Sequence, residues 1–343
     1  MICGALPPHI LIAIVENGSS RERAAAIETL LLSERFLERR TLLAALPVIT
    51  PTGRKRRAVY DARHRTQLPG RFVRGEEDPP SADSAVDEAF DGAGSTYDFY
   101  SEVYERNSID GRGMRLDSSV HFGVDYDNAF WNGTQMVYGD GDGTLFLRFT
   151  GPLEIAGHEM THGVTAREAN LEYHDQPGAL NESFSDVFGS LVKQYALGQT
   201  AAEADWIIGA GLLAPKVNGV GIRSMKAPGT AYDDPVLGKD PQPAHMKDYV
   251  FGPEDDGGVH INSGIPNRAF VLASEAIGGR AWEKAGKIWY VALTDHLRRD
   301  SDFAAAARLT AAVAAELFGQ ASAEEKAVRE AWRAVGVTAK DVA

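Results

Sequence analysis

His158 and His162 stand four residues apart in the run His158-Glu159-Met160-Thr161-His162, inside a window (153–168) of helical spacing. Positions i and i+4 share a face only on a helix, so the run fixes a helix with two imidazoles aimed at one point. Two such nitrogens suit a metal ion, and Glu159, beside the first, is placed to take a proton from a water on that ion. A catalytic zinc needs a third protein ligand and one open position. The next helical window, 181–197, supplies a candidate in Glu182, with Asp186 one turn further along the same face. Metal-bound histidines usually donate their second N–H to a carboxylate or carbonyl, the role expected of Asp186. An acidic solvated face is the other reading of this pair, but Leu180, Phe184, Val187 and Phe188 around it are too apolar for an open surface.

The rest of the chain narrows the setting. With 343 residues, 44% hydrophobic and 24% charged, it is long enough for about two domains and has the make-up of a folded globular protein. Its one cysteine excludes a disulfide framework and a Cys-rich zinc cluster. No apolar run of about 18 residues is present, which excludes a membrane-spanning helix. The first twenty residues lack a basic region, and Pro7-Pro8 interrupts their apolar stretch, so they make a poor signal peptide. Synthesis in the cytoplasm is expected, with export by a non-classical route left open. The net charge is −13, yet residues 1–75 hold 13 basic and 6 acidic side chains. Residues 1–50 carry five of each sign, so the basic excess lies in 51–75. A nucleic-acid arm would need aromatic or base-reading partners among its basic residues, and RKRRAVYDARHR offers only Tyr60.

Along the chain, 18–46 reads as helical, with Ser19 or Ser20 as N-cap, before Pro47, Pro51 and Gly53 break the pattern. The basic residues Arg54 to Arg57 then read as a boundary or exposed linker. A helix is expected over Ala85–Tyr104, and short strands at SVHFGV, QMVYG and LFLRF between Leu116 and Phe149. Helical windows follow at 153–168, 181–197, 263–277, 281–297 and 303–317. The class is α+β.

Four motifs in order, NAFWNG (Asn128 to Gly133), HEMTH, NESFSD and DDGGVHINSG (Asp255 to Gly264), resemble the thermolysin family of zinc metallopeptidases over residues 55–343. The short leader with Pro7-Pro8-His9-Ile10 resembles the protealysin-type branch, whose members carry compact propeptides. The resemblance implies a strand-rich N-terminal lobe and a helical C-terminal lobe with the cleft between, behind a small helical propeptide. The implied divisions are 1–50, 51–168 and 169–343. It implies a zinc endopeptidase that cuts on the N-terminal side of bulky hydrophobic residues in protein or peptide substrates, with its own propeptide as intramolecular inhibitor. Neither nucleic acid nor membrane is an expected partner.

By the same resemblance His158, His162 and Glu182 bind zinc, and Glu159 is the general base. His260, oriented by Asp255, and Tyr173 stabilise the oxyanion. Asp186 orients His158, and the backbone carbonyl of Asn181 orients His162. Asn128, Ala129 and Trp131 line the edge that holds substrate backbone, and Arg223 binds a substrate carbonyl. Taken alone, Tyr173 also suits a half-buried core, Arg223 a surface ion pair, and His260 a strand. His121, His174 and His296 match no catalytic position and are read as structural or exposed. At the family's double-calcium position the chain keeps Glu154 and Asp205 but has Lys193, Ile207 and Ala210, a set that cannot surround a hard cation. That calcium pair is expected to be lost. The Gly139–Gly143 loop is read as a turn, with a calcium ion as its alternative. In the leader, Cys3 is a candidate ligand for zinc's open position. Pro7, Pro8 and His9 are expected as a stiff extended stretch along the cleft, Ile10 in the hydrophobic subsite, and processing between about Arg39 and Gly53.

Two other functions compete. A catalytically silent zinc-binding interaction protein should have lost the base or the oxyanion donors, but Glu159, Tyr173 and His260 are present. An aminopeptidase needs an acidic anchor for the free amine, and no GxMEN-type motif occurs.

Overall fold

The computed structural model of the chain describes residues 4–44 and 54–337, with the backbone alone for 34–44. Two helices lead, α1 (Pro8–Asn17) and α2 (Ser20–Ala44). Proline suits a first helical turn, where its missing N–H would have had no partner, and Pro8 starts α1 with Pro7 as N-cap. This corrects the expected extended stretch: Pro8, His9 and Ile10 are helical, and Ile10 is buried in the main core. The segment that lies against the sheet is instead Gly4–Leu6. Cys3 and residues 45–53, which hold most of the expected processing stretch, lie outside the described residues.

Strands β1 (Arg57–Asp61) and β2 (Arg71–Gly75) come next, then α3 (Ser84–Tyr104), β3 (Leu116–Val120), β4 (Ala129–Trp131) and β5 (Gln135–Tyr138). One sheet runs β2-β1-β3-β5-β4. Its three inner strands are parallel, and β2 and β4 close the edges antiparallel. The basic run read as a linker therefore ends inside a strand. Arg57 opens β1, pairs with Glu76 at 2.5 Å and lies 3.7 Å over the Phe90 ring. LFLRF is not a strand: only Phe146 bridges, to Leu213. In the Gly139–Gly143 turn, the Asp142 carboxylate accepts the N–H groups of Thr144, Leu145 and Phe146.

The C-terminal part is helical: α4 (Leu153–Arg167), α5 (Asp175–Leu197), α6 (Asp255–Asn262), α7 (Gly264–Ile277), α8 (Ala285–Val291), α9 (Phe303–Phe318) and α10 (Ala323–Ala334). The window 281–297 divides into α8 and a π-helical turn at Ala292–His296. Helix α10 escaped the reading because it buries only Val328, Ala331 and Trp332. Trp332 stacks on Trp289 at 6.2 Å and donates to Thr310 Oγ1. The main core runs through the leader, the sheet and the helices, and a smaller cluster joins Leu32 of α2 to Phe122, Tyr126 and Phe130. Among the described residues no helix is long and apolar enough to cross a membrane.

Helices α4 and α5 carry the motif residues, and their separation sets the site. A Cβ on Gly189 would lie 2.5 Å from the Glu154 carbonyl oxygen and 2.9 Å from His158 N. Glycine in a helix interior costs about 1 kcal/mol against alanine, so close approach accounts for it here. Gly189→Ala should force α5 off α4. Overpacking costs about 1–3 kcal/mol, more than the helix gains, so the thermal unfolding midpoint should fall. An unchanged or raised midpoint would show that the contact is not tight.

Candidate active site

Both imidazoles of the motif face Glu182. His158 Nε2 and His162 Nε2 are 3.2 Å apart. Glu182 presents Oε2 to His158 at 3.5 Å and Oε1 to His162 at 3.3 Å. All three residues are buried. His158 Nδ1 is held by Asp186 Oδ1 at 2.8 Å. His162 Nδ1 meets the Asn181 side-chain Oδ1 at 2.9 Å and Ser185 Oγ at 3.1 Å. The expected backbone carbonyl of Asn181 is thus replaced by its side chain. With both Nδ1 atoms facing acceptors, both Nε2 lone pairs turn to the same point, an arrangement that asks for a cation. Zinc bonds of about 2.0–2.1 Å at a tetrahedral centre put ligand atoms about 3.4 Å apart. The observed separations fit that ion, and Glu182 Oε2 accepts no hydrogen bond.

Charge is arranged to match. Burial alone would raise the Asp186 carboxyl, but Arg223 and His158 outweigh it and hold it at about 2. Burial likewise opposes ionisation of Glu182, and His260, His162 and His158 hold it well below the usual carboxylate range. For His158, burial wins over Asp186 and brings the imidazole down to about 4, so it stays neutral, as a ligand must be.

Glu159 lies next to this triangle, its Oε1 4.0 Å from His158 Nε2, and its Oε2 accepts the Trp131 N–H at 2.9 Å. On the other side Tyr173 donates its hydroxyl to Glu182 Oε1 and stands 3.2 Å from His260 Nε2. His260 lies on α6, not on a strand. Asp255 holds it at Nδ1 (2.6 Å) and at the backbone N–H (2.8 Å). Arg223 is buried, which removes the surface ion-pair reading. Its Nε and Nη2 fork onto Asp186 at 2.8 and 2.7 Å. Asn267 adds a bond to Asp186 Oδ2 at 2.9 Å. Sequence reading missed Asn267 and Ser185, and no spacing rule points to either.

The third nitrogen of Arg223, Nη1, donates to the Ala5 carbonyl at 2.9 Å. Ala5 N donates to the Ala129 carbonyl at 3.0 Å, and Leu6 N to Asn128 Oδ1 at 2.9 Å, with Asn128 Nδ2 returning to the Leu6 carbonyl at 3.3 Å. Asn128, Ala129 and Arg223 are therefore brought together on the leader, whereas Trp131 enters through its N–H on Glu159. His9 meets the Tyr232 hydroxyl at 3.0 Å, and burial brings its imidazole down to about 4. At the position expected for the family's double-calcium site, Lys193 lies 2.8 Å from Asp205 and 3.5 Å from Glu154, which also accepts the Ala210 N–H at 2.9 Å.

Known proteins resemble this chain over nearly its whole length. Two family models, "Thermolysin metallopeptidase, catalytic domain" and "Thermolysin metallopeptidase, alpha-helical domain", match residues 50–166 and 169–337. The chain is 52% identical over 337 residues to "Extracellular metalloprotease" of Pectobacterium carotovorum subsp. carotovorum, covering 98% of this chain and 96% of that protein. It is 47% identical over 346 residues to "Protease PrtS" of Photorhabdus sp. (strain Az29), covering 98% and 93%. Among solved structures, the precursor of protealysin, a metalloproteinase from Serratia proteamaculans, matches with a TM-score of 0.91 at 53% identity, covering 98% of this chain and all of that one. Two models that divide the chain between α4 and α5, and relatives that span nearly all of it, agree: this chain belongs to the thermolysin family of metallopeptidases.

Proposed function

We propose that the chain is a zinc endopeptidase made as a self-inhibited precursor, whose leader fills the place of the substrate backbone. The observation that carries this is the pairing of Gly4–Leu6 with the edge strand β4, with the Ala5 carbonyl on Arg223. An edge strand offers unpaired backbone groups to an added peptide, and the leader meets the groups that a substrate would need. In this reading residues 1–50 are the propeptide, 51–168 the N-terminal lobe and 169–343 the helical lobe. The family resemblance supports cleavage before bulky hydrophobic residues.

His158, His162 and Glu182 would hold the ion. When bound, zinc supplies Lewis acidity toward a peptide carbonyl and acidifies a water. Glu159, held in place by the Trp131 N–H on Oε2, takes a proton from the attacking water and delivers it to the departing amine. Tyr173 and His260 aim donors at the developing oxyanion, where fixed dipoles contribute most to rate. Asp255 on Nδ1 keeps the His260 proton supply at Nε2. Arg223 and β4 hold the peptide in register. The double-calcium position we read as lost, with the Lys193 ammonium between Glu154 and Asp205 in place of the cations.

Two outcomes check this reading. After leader removal, Glu159→Ala should cut an internally quenched peptide, blocked at its N-terminus, about 10²–10⁴-fold more slowly than wild type. Equal, chelator-insensitive rates would remove the proposed base. In the leader, a Cβ on Gly4 would lie 2.8 Å from the Ala129 carbonyl oxygen and 2.9 Å from Asn128 Nδ2. Gly4→Leu should therefore lift the leader from β4 and raise the activity of the full-length chain toward that of the mature enzyme. A variant as silent as wild type would place inhibition elsewhere.

A further inference from the structure

We propose that the carboxyl ends of three parallel strands form a second divalent-metal site of the zinc type, with His64, His121 and the Asp140 carboxylate as ligands. Strands β1, β3 and β5 end at Asp61, Val120 and Tyr138, and His64, His121 and Asp140 lie in the loops that leave those ends. Parallel strands gather their following loops at one edge of the sheet, where ligand sites recur. That edge is opposite in kind to the catalytic centre, which is built on helices.

The atoms are close enough to share an ion. His121 Nδ1 lies 2.9 Å from both oxygens of Asp140, and His64 Nδ1 lies 3.5 Å from Asp140 Oδ2. One ligand atom from each of the three residues lies within 4.8 Å of the others. Behind His121, Asp83 meets Nε2 at 2.8 Å. A carboxylate there fixes the Nε2–H tautomer and leaves Nδ1 for the ion, the same arrangement that Asp186 gives His158. Asp83 is itself held as N-cap of α3, by the Ala85 N–H at 3.0 Å. The backbone is set for this purpose: His64 and His121 adopt φ of 56° and 54°, in the left-handed region that side chains other than glycine rarely occupy. The His64 N–H donates to the His121 carbonyl at 2.8 Å, which locks the two turns together.

Two imidazoles and one carboxylate select zinc and its neighbours over calcium or magnesium, which prefer oxygen alone. His64 is 59% exposed, so an ion can enter from solvent and keep a water in its fourth position. Other charged groups at the cavity are Asp83 and Arg148, and Arg148 is engaged by Glu88 at 2.7 Å.

The test is a zinc titration of the full-length, zinc-loaded chain by calorimetry at neutral pH. The expected result is one further ion per chain. His64→Asn keeps a residue that tolerates left-handed backbone and changes one exposed side chain. It should weaken the further ion at least tenfold while catalytic zinc content and peptidase activity stay as in wild type. Asp140→Asn should do the same to the further ion. No further ion in wild type, or a further ion that binds His64→Asn as tightly as wild type, would each overturn the proposal.

Discussion

The Asp186 carboxylate is the point on which the site depends. It is fully buried, and a buried charge is tolerated only when its lone pairs are met. Four donors meet them: His158 Nδ1, two nitrogens of Arg223 and the Asn267 amide. The first orients a metal ligand, and the second leaves Arg223 Nη1 for a peptide carbonyl. One carboxylate thus couples the geometry of the ion to the register of the peptide. A change at Asp186 would leave a buried guanidinium without its partner and an imidazole free to rotate.

The leader uses that coupling. Ala5, Leu6, Ile10, Leu11 and Ile14 join the same core as the sheet and helices, while the ion pairs among its described residues are few, Glu22 with Lys216 at 2.7 Å and Arg21 with Asp125 at 3.3 Å. Shape and backbone hydrogen bonds hold it, in keeping with the neutral charge of residues 1–50. Pro7 and Pro8 turn the chain out of the cleft into α1 directly after Leu6. The peptide therefore lies along β4 for a short distance only.

What was legible in the sequence follows from how locally it is encoded. The helix through His158 and His162 was readable because spacing alone specifies it, and Glu182 and Asp186 because they share one turn of an apolar helix. Strand β1 was not, because RKRRAVYD reads as a solvated basic run until Glu76 and Phe90, distant in sequence, cover Arg57. Pro7-Pro8 suggested extended backbone, but the first turn of a helix accepts proline equally well, and packing of Ile10 and Ile14 decided for the helix. Asn267 and Ser185 touch the site only through tertiary packing. His121, read as structural or exposed, lies between Asp83 and Asp140, and only the fold brings His64 beside it.

The most direct measurement is a time course on the purified, zinc-loaded full-length chain, with peptidase activity and the N-terminal sequence followed together. Activity should start low and rise in step with a new N-terminus within about residues 39–53, and Glu159→Ala should stay full-length and silent. A full-length chain as active as the shortened one would contradict the account.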